Sequence, residues 1–79
     1  MAVEPYEKLA NAIIAQAAVD YRKALRRLQD FPDDTEAESD KKKIERFFTS
    51  VWFSILTTVD GKWLMEALAK EVFEKRGNA

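Results

Sequence analysis

Residues 59–75 of the chain read VDGKWLMEALAKEVFEK, and this stretch decides between a helical fold and a mixed one. An Asp-Gly pair after a β-branched residue, as at Asp60-Gly61, is typical of a β-hairpin turn. The residues that follow are strong helix formers, and apolar positions recur every four residues at Leu64, Leu68 and Val72. We therefore predict that Asp60 caps a helix here and that Gly77 ends it.

The N-terminal third of the sequence predicts a long amphipathic helix. Between residues 6 and 28, apolar side chains recur at spacings of three and four, which gives about seven turns at 3.6 residues per turn. Pro5 suits the first turn of a helix. Pro32 disfavours helical geometry at the residue before it, so we expect the helix to end near Asp30-Phe31.

The middle of the chain predicts a second helix that does not continue straight. Acidic residues over 30–40 are followed at once by Lys41, Lys42 and Lys43, the order that a helix dipole favours. This predicts a helix over about residues 35–49, which starts either at Asp33, with Glu36 three residues on, or with Asp34 or Thr35 as its cap. Ser50 could then cap a short helix over residues 51–57. We predict an all-α single domain over residues 1–79, a small three-helix bundle with the second helix broken near Ser50.

Composition excludes several classes of function. The chain has 79 residues, a net charge of -1, and neither cysteine nor histidine. Disulfides, zinc-thiolate sites and cysteine nucleophiles are therefore absent, as is the commonest general base. The N-terminal residues do not resemble a signal peptide, and no stretch approaches the ~18 apolar residues of a membrane span. We expect a cytoplasmic protein with no membrane association.

An apolar block over residues 47–56 is the main functional signal. Seven of these ten residues are large and apolar, and four of the seven are aromatic. A small chain has little interior for such a block, and large exposed apolar patches usually mark interaction surfaces. Most of the rings, such as those of Phe47, Phe48 and Trp63, would fill the core. Phe53 is instead expected at the edge of an apolar stripe, which is formed by Trp52, Ile55, Leu56 and Val59. We predict a protein-binding surface at Trp52, Phe53 and Phe73, with a homo-oligomer as its simplest use.

Basic residues on the first two helices offer an alternative. Arg22, Lys23, Arg26 and Arg27 lie opposite the apolar stripe of the first helix, where an amphipathic helix keeps its solvated charges. Neither the net charge nor the nearby acidic residues favour nucleic acid, which we do not expect as a partner. The alternative is a homo-oligomer that binds a nucleotide or another small anion at Arg22, Arg26, Lys42 and Lys43.

Metal binding and catalysis have weak support. The acidic stretch over residues 33–38 lacks the glycine and glutamate spacing of an EF-hand and is better explained as the start of a helix. Ser50, Ser54, Thr57 and Thr58 carry hydroxyls, but no histidine can activate them. We therefore predict no metal site, no cofactor and no catalytic residue, and we do not expect an enzyme.

A resemblance adds a genomic setting. Residues 47–64 follow the pattern Phe47-Phe48-x-Ser50-x-Trp52-Phe53-x-x-Leu56-Thr57-x-Val59-Asp60-Gly61-x-x-Leu64. This pattern resembles a family of small uncharacterised proteins of Gram-positive prophages and integrative elements, and the resemblance covers residues 44–72. The resemblance implies an accessory protein of a mobile element, a setting in which small inhibitors of host defence are common, and it carries over no catalytic positions. We therefore expect a non-catalytic protein that binds another protein stoichiometrically, as an anti-defence inhibitor or a regulator.

Overall fold

The chain forms four helices in a computed structural model that describes the backbone of residues 3–77 and the side chains of residues 7–74. Helix α1 is Val3–Asp30, α2 is Thr35–Phe48, α3 is Val51–Leu56 and α4 is Gly61–Gly77. Residues 3–77 contain no β-strand. The all-α prediction is confirmed, and Asp60-Gly61 starts a helix instead of turning a hairpin.

The ends of the helices follow the capping signals of the sequence. Asp34 accepts a hydrogen bond from the Ala37 N–H at 3.0 Å and so caps α2. Arg27 approaches the same carboxylate at 2.9 Å, which ties the last turn of α1 to the first turn of α2. At α4, one oxygen of Asp60 accepts from the Lys62 N–H at 3.0 Å and from the Trp63 N–H at 3.4 Å. These caps confirm Asp34 and Asp60 as helix starts.

Ser50 separates α2 from α3. Its hydroxyl donates to the Phe47 carbonyl at 2.6 Å and accepts from the Phe53 N–H at 3.2 Å. Its backbone is extended, with φ -83° and ψ 162°, so the helical path is interrupted there. The chain therefore changes direction before the six residues of α3.

The core lies where α1, α2 and α4 pack pairwise against one another. Its fully buried members are Tyr21, Leu25, Phe48, Phe53, Leu68 and Val72. The Phe53 ring meets the Phe48 ring nearly edge-on, with centroids 5.5 Å apart, and the Phe47 ring at 5.7 Å. These edge-to-face arrangements are the preferred geometry of aromatic pairs.

The expectation for Phe53 was wrong. The residue is 2% exposed, so its ring belongs to the core and does not lie at the edge of a stripe. The turn at Ser50 is the physical reason, because it reorients α3 and brings the side that carries Phe53 over the rings of Phe47 and Phe48. Of the stripe, Trp52 and Ile55 face solvent instead, and Trp63, whose ring was expected to fill the core, is exposed as well.

Helix α1 is longer than the helices that cover it. The molecule measures 45 × 26 × 18 Å, and 28 residues at about 1.5 Å each account for the longest dimension. Helix α2 has only 14 residues. Part of the apolar face of α1 therefore has no cover from α2, and Leu9 and Ile13 are exposed.

Candidate protein-binding surface

Half of the side chains of α3 are large, apolar and directed to solvent. Val51 is 75% exposed, Trp52 is 70% exposed and Ile55 is 59% exposed. Ile55 follows the other two by four and three residues, the spacing that places side chains on the same face of a helix. We call these three residues the α3 surface.

The α3 surface lies in an uncharged part of the chain. Residues 47–59 contain no Asp, Glu, Lys or Arg, although 34% of the chain is charged. Two further apolar side chains, Val59 and Trp63, are exposed just after α3. A partner that covers the α3 surface would therefore displace water from apolar groups without burying a charge of this segment.

Phe73 is exposed but lies apart from the α3 surface. Its side chain is 55% exposed on α4. It follows Trp63 by ten residues, or about 15 Å along the helix axis. Among the described side chains, no ring contact joins Phe73 to Trp52. Of the three residues predicted to bind protein, the structure places Trp52 on the α3 surface, Phe73 elsewhere and Phe53 in the core.

Three hydroxyl groups near α3 form hydrogen bonds with the backbone. The Thr49 hydroxyl donates to the Glu45 carbonyl at 3.0 Å, and the Ser54 hydroxyl donates to the Val51 carbonyl at 2.6 Å. The Thr57 oxygen accepts from the Val59 N–H at 3.2 Å. A cavity of about 570 Å³ adjoins these residues. The hydroxyls of Thr49, Ser54 and Thr57 thus bond to nearby backbone groups.

The four residues predicted to bind an anion divide between different environments. Arg22 contacts Glu71 at 3.1 Å, and Lys42 contacts Glu38 at 3.9 Å. Arg26 and Lys43 instead line one groove between α1 and α2, together with Lys23 and Arg27. Arg26 also shares a concavity with Arg22, and Lys43 shares one with Lys42, so the structure brings the four predicted residues together in pairs.

Tyr21 is the titratable group that its surroundings perturb most clearly. Its hydroxyl donates to a Glu45 carboxylate oxygen at 2.7 Å, and Lys41 contacts the same oxygen at 3.1 Å. Burial, and then the hydrogen bond and the negative charge of Glu45, raise the pKa of Tyr21 well above its usual range. The phenol thus stays neutral and bonded, which is a structural role.

Two further features are absent from the described part of the chain. No three of its Asp and Glu side chains form a group that could hold a metal ion. No helix within residues 3–77 is long and apolar enough to cross a membrane.

Sequence reasoning missed two members of the α3 surface. Ile55 was expected on the stripe with Trp52, and Val51 was not among the residues predicted to bind protein. The available signal was the uncharged run over residues 47–59, in which five of the six residues of α3 are apolar. A short helix with apolar residues around most of its circumference cannot bury them all in a small core.

Comparison of the chain with protein-family models, with curated proteins and with solved structures found no match.

Proposed function

We propose that this chain is a non-catalytic protein that binds another protein stoichiometrically through the α3 surface. The observation that carries the proposal is the exposure of Val51, Trp52 and Ile55 on one face of a six-residue helix. Exposing such side chains to water is unfavourable by about 25 cal/mol for each Å² of apolar surface. A partner that covers them gains that free energy.

Trp52 is the expected centre of the interface. Tryptophan is enriched among residues whose truncation costs about 2 kcal/mol or more in binding, because it buries a large area with few torsions to restrict. Val51 and Ile55 flank it on the same helix face and would exclude water from its ring. Phe53 has no direct part in this interface, since its ring supports α3 from below.

The scaffold suits a small binding protein. We infer that α1, α2 and α4 act as a three-helix bundle and that α3 is the piece of the second helix displaced at Ser50. The caps at Ser50 and Asp60 hold both sides of α3, so its exposed face is preorganised. Preorganisation lowers the entropic cost of binding.

The resemblance to small proteins of prophages and integrative elements suggests the setting. In that setting the partner would be a host defence protein or a regulator, and this chain would act as its inhibitor. The first partner to test is a second copy of the chain, because two α3 surfaces packed together would give a small domain a larger shared core.

Sedimentation equilibrium at micromolar concentration tests self-association. We expect a mass above that of one chain for the wild type, and the mass of one chain for the double variant Trp52→Ser/Ile55→Ser. Phe73→Ser is the matched control, because it removes another exposed aromatic side chain outside the α3 surface. A wild type that sediments as one chain throughout would reject self-association, and an effect of Phe73→Ser equal to that of the double variant would reject the α3 surface as its location.

A further inference from the structure

A second surface of the molecule is a groove between α1 and α2. Two adjoining concavities form it, and both include Asp20, Lys43 and Ile44. Every residue that lines them belongs to α1 or α2, so α4 does not close the groove. On α1 it extends from Ile13 to Arg27, about 21 Å at 1.5 Å per residue. We call it the α1–α2 groove.

One half of the α1–α2 groove is apolar. It is formed by Ile13 and Ala17 on α1 and by Ile44 and Phe47 on α2. Ile13 is 40% exposed, and the other three are half-buried. Ile44, Phe47 and Ala17 pack against the core from this side, so the apolar half is a continuation of the core that lacks an outer layer.

The other half of the groove is basic. Lys23, Arg26, Arg27 and Lys43 line it, with the carboxylates of Asp20 and Asp40. Arg27 is already paired with Asp34, and Asp20 accepts a hydrogen bond from Gln16 at 3.0 Å. Among the described residues, Lys23, Arg26 and Lys43 have no ion-pair partner within the chain. Asp20 and Asp40 offset part of the charge of Lys23, Arg26 and Lys43, and this half keeps a small excess of positive charge.

We propose that the α1–α2 groove binds an amphipathic helix of a partner protein, with apolar residues along one half of its contact face and acidic residues along the other. The apolar side chains would cover Ile13, Ile44 and Phe47, and the carboxylates would pair with Lys23, Arg26 and Lys43. A helix of about 14 residues matches the length of the groove. Helix-in-groove binding of this kind uses anchors at helical spacing.

The shape of the groove favours a helix over a nucleotide or another small anion. Small ligands usually bind in pockets that bury 70–90% or more of their surface. Here Lys23, Arg26 and Lys43 are all exposed, and the basic half contains no aromatic ring on which a base could stack. The groove is thus long and open, as expected for the space between two helices that lack a third neighbour on this side.

A designed peptide tests this proposal directly. The probe is a fluorescein-labelled 14-residue helical peptide with leucines on one half of a face and glutamates on the other, at spacings of about three and four. We expect saturable binding to the full chain by fluorescence anisotropy. Amide NMR shifts should change over residues 13–27 and 40–47. A peptide with lysines in place of the glutamates should bind about tenfold or more weakly.

Two double variants of matched charge separate the groove from general electrostatics. Arg26→Glu/Lys43→Glu should weaken binding of the acidic peptide about tenfold or more, whereas Lys62→Glu/Lys70→Glu, outside the groove, should change it less than about twofold. Thermal melting shows whether charge reversal impairs folding. If it does, the milder Arg26→Gln/Lys43→Gln variant repeats the test. The α3-surface variant Trp52→Ser/Ile55→Ser should bind the peptide normally.

Several results would overturn the proposal. The first is that the peptide does not bind. The second is that the two charge-reversed variants lose peptide affinity equally, and the third is that the NMR shifts are confined to α3. Binding of monomeric dodecanoate, with NMR shifts over residues 13–27 and 40–47 and without any binding of the acidic peptide, would assign the groove to a small amphiphile instead. Because the probe is tested against a surface separate from α3, failure here leaves the proposed function of the α3 surface standing, and the reverse is also true.

Discussion

Gly61 lies directly against the backbone carbonyl of Phe48. A Cβ atom at position 61 would overlap the carbonyl oxygen, and it would come within 2.8 Å of the carbonyl carbon and 3.3 Å of the Phe53 ring. The end of α2 and the start of α4 thus touch, and the segment over residues 49–60 leaves and returns at nearly the same place. Such closure is typical of compact surface loops, and here it holds the α3 surface outward over the buried ring of Phe53.

Gly61→Ala should destabilise the protein, although helix propensity alone predicts the opposite. Alanine is favoured over glycine inside a helix by about 1 kcal/mol. The overlap with Phe48 involves backbone atoms, which cannot rotate away, and overpacking of this kind typically costs about 1–3 kcal/mol or more. Urea unfolding measures the change. Lys62→Ala, at the next and exposed position, is the control and should change stability little; a stabilising Gly61→Ala would show that the two helix ends do not meet.

Phe53→Ala should destabilise the fold strongly, and Trp52→Ala should not. Truncating a buried phenylalanine typically costs about 3–5 kcal/mol. Trp52 is mostly exposed, so its truncation should change the free energy of unfolding of the separated chain by roughly 0.5 kcal/mol or less. Thermal and denaturant unfolding at a concentration where the chain is monomeric compare the two. Similar losses of unfolding free energy in both variants would contradict the orientation of α3.

Tyr21→Phe should lower stability, and the difference from the wild type should shrink at high pH. The hydrogen bond to Glu45 contributes about 1 kcal/mol. Because the pKa of Tyr21 is raised in the folded state, its contribution is complete below the unfolded value of about 10 and is lost as pH rises above it. Denaturant unfolding of both proteins from pH 8 to pH 11 measures this loss. A constant difference across that range would refute the raised pKa.

Asp34→Asn should separate the charge of the α2 cap from its geometry. The hydrogen bond from the Ala37 N–H, aided by Arg27, holds the pKa of Asp34 below its usual range. The contribution of the carboxylate is therefore present above about pH 4, the unfolded value, and is lost as pH falls through the lower folded value. Asparagine also caps helices but does not titrate. We expect the wild type to exceed the variant in stability at pH 6 and to lose that advantage toward pH 2, as followed by circular dichroism in urea.

The local features of this fold could be predicted from sequence, whereas the orientation of α3 could not. The ends of α1, α2 and α4 follow from Asp34, Asp60 and Pro32, because capping and proline effects act within a few residues. Which side of α3 faces inward depends on how far the chain turns at Ser50 and on the contact between Gly61 and Phe48, and both are tertiary relationships. Periodicity favoured Trp52 and Ile55 as the inner side, and the structure places Phe53 there.

For the basic residues, too, local features could be predicted from sequence and tertiary partners could not. An excess of positive charge on the outer side of α1 was evident from Lys23, Arg26 and Arg27. The sequence did not reveal that Glu71 pairs with Arg22, nor that Lys43 completes a groove with Arg26, because those partners come from other helices.

Site-specific photo-crosslinking tests the central claim, that the α3 surface is covered by a protein partner, most directly. A benzophenone side chain would replace Trp52 in the full chain, expressed at its natural level in the organism that encodes it. The control would replace Lys70, which is exposed on α4 and outside both proposed surfaces. We predict one dominant light-dependent adduct at position 52, of fixed mass corresponding to a second copy or to one other protein, and no such adduct at position 70. Adducts at position 52 that are no more abundant or specific than those at position 70 would contradict the account.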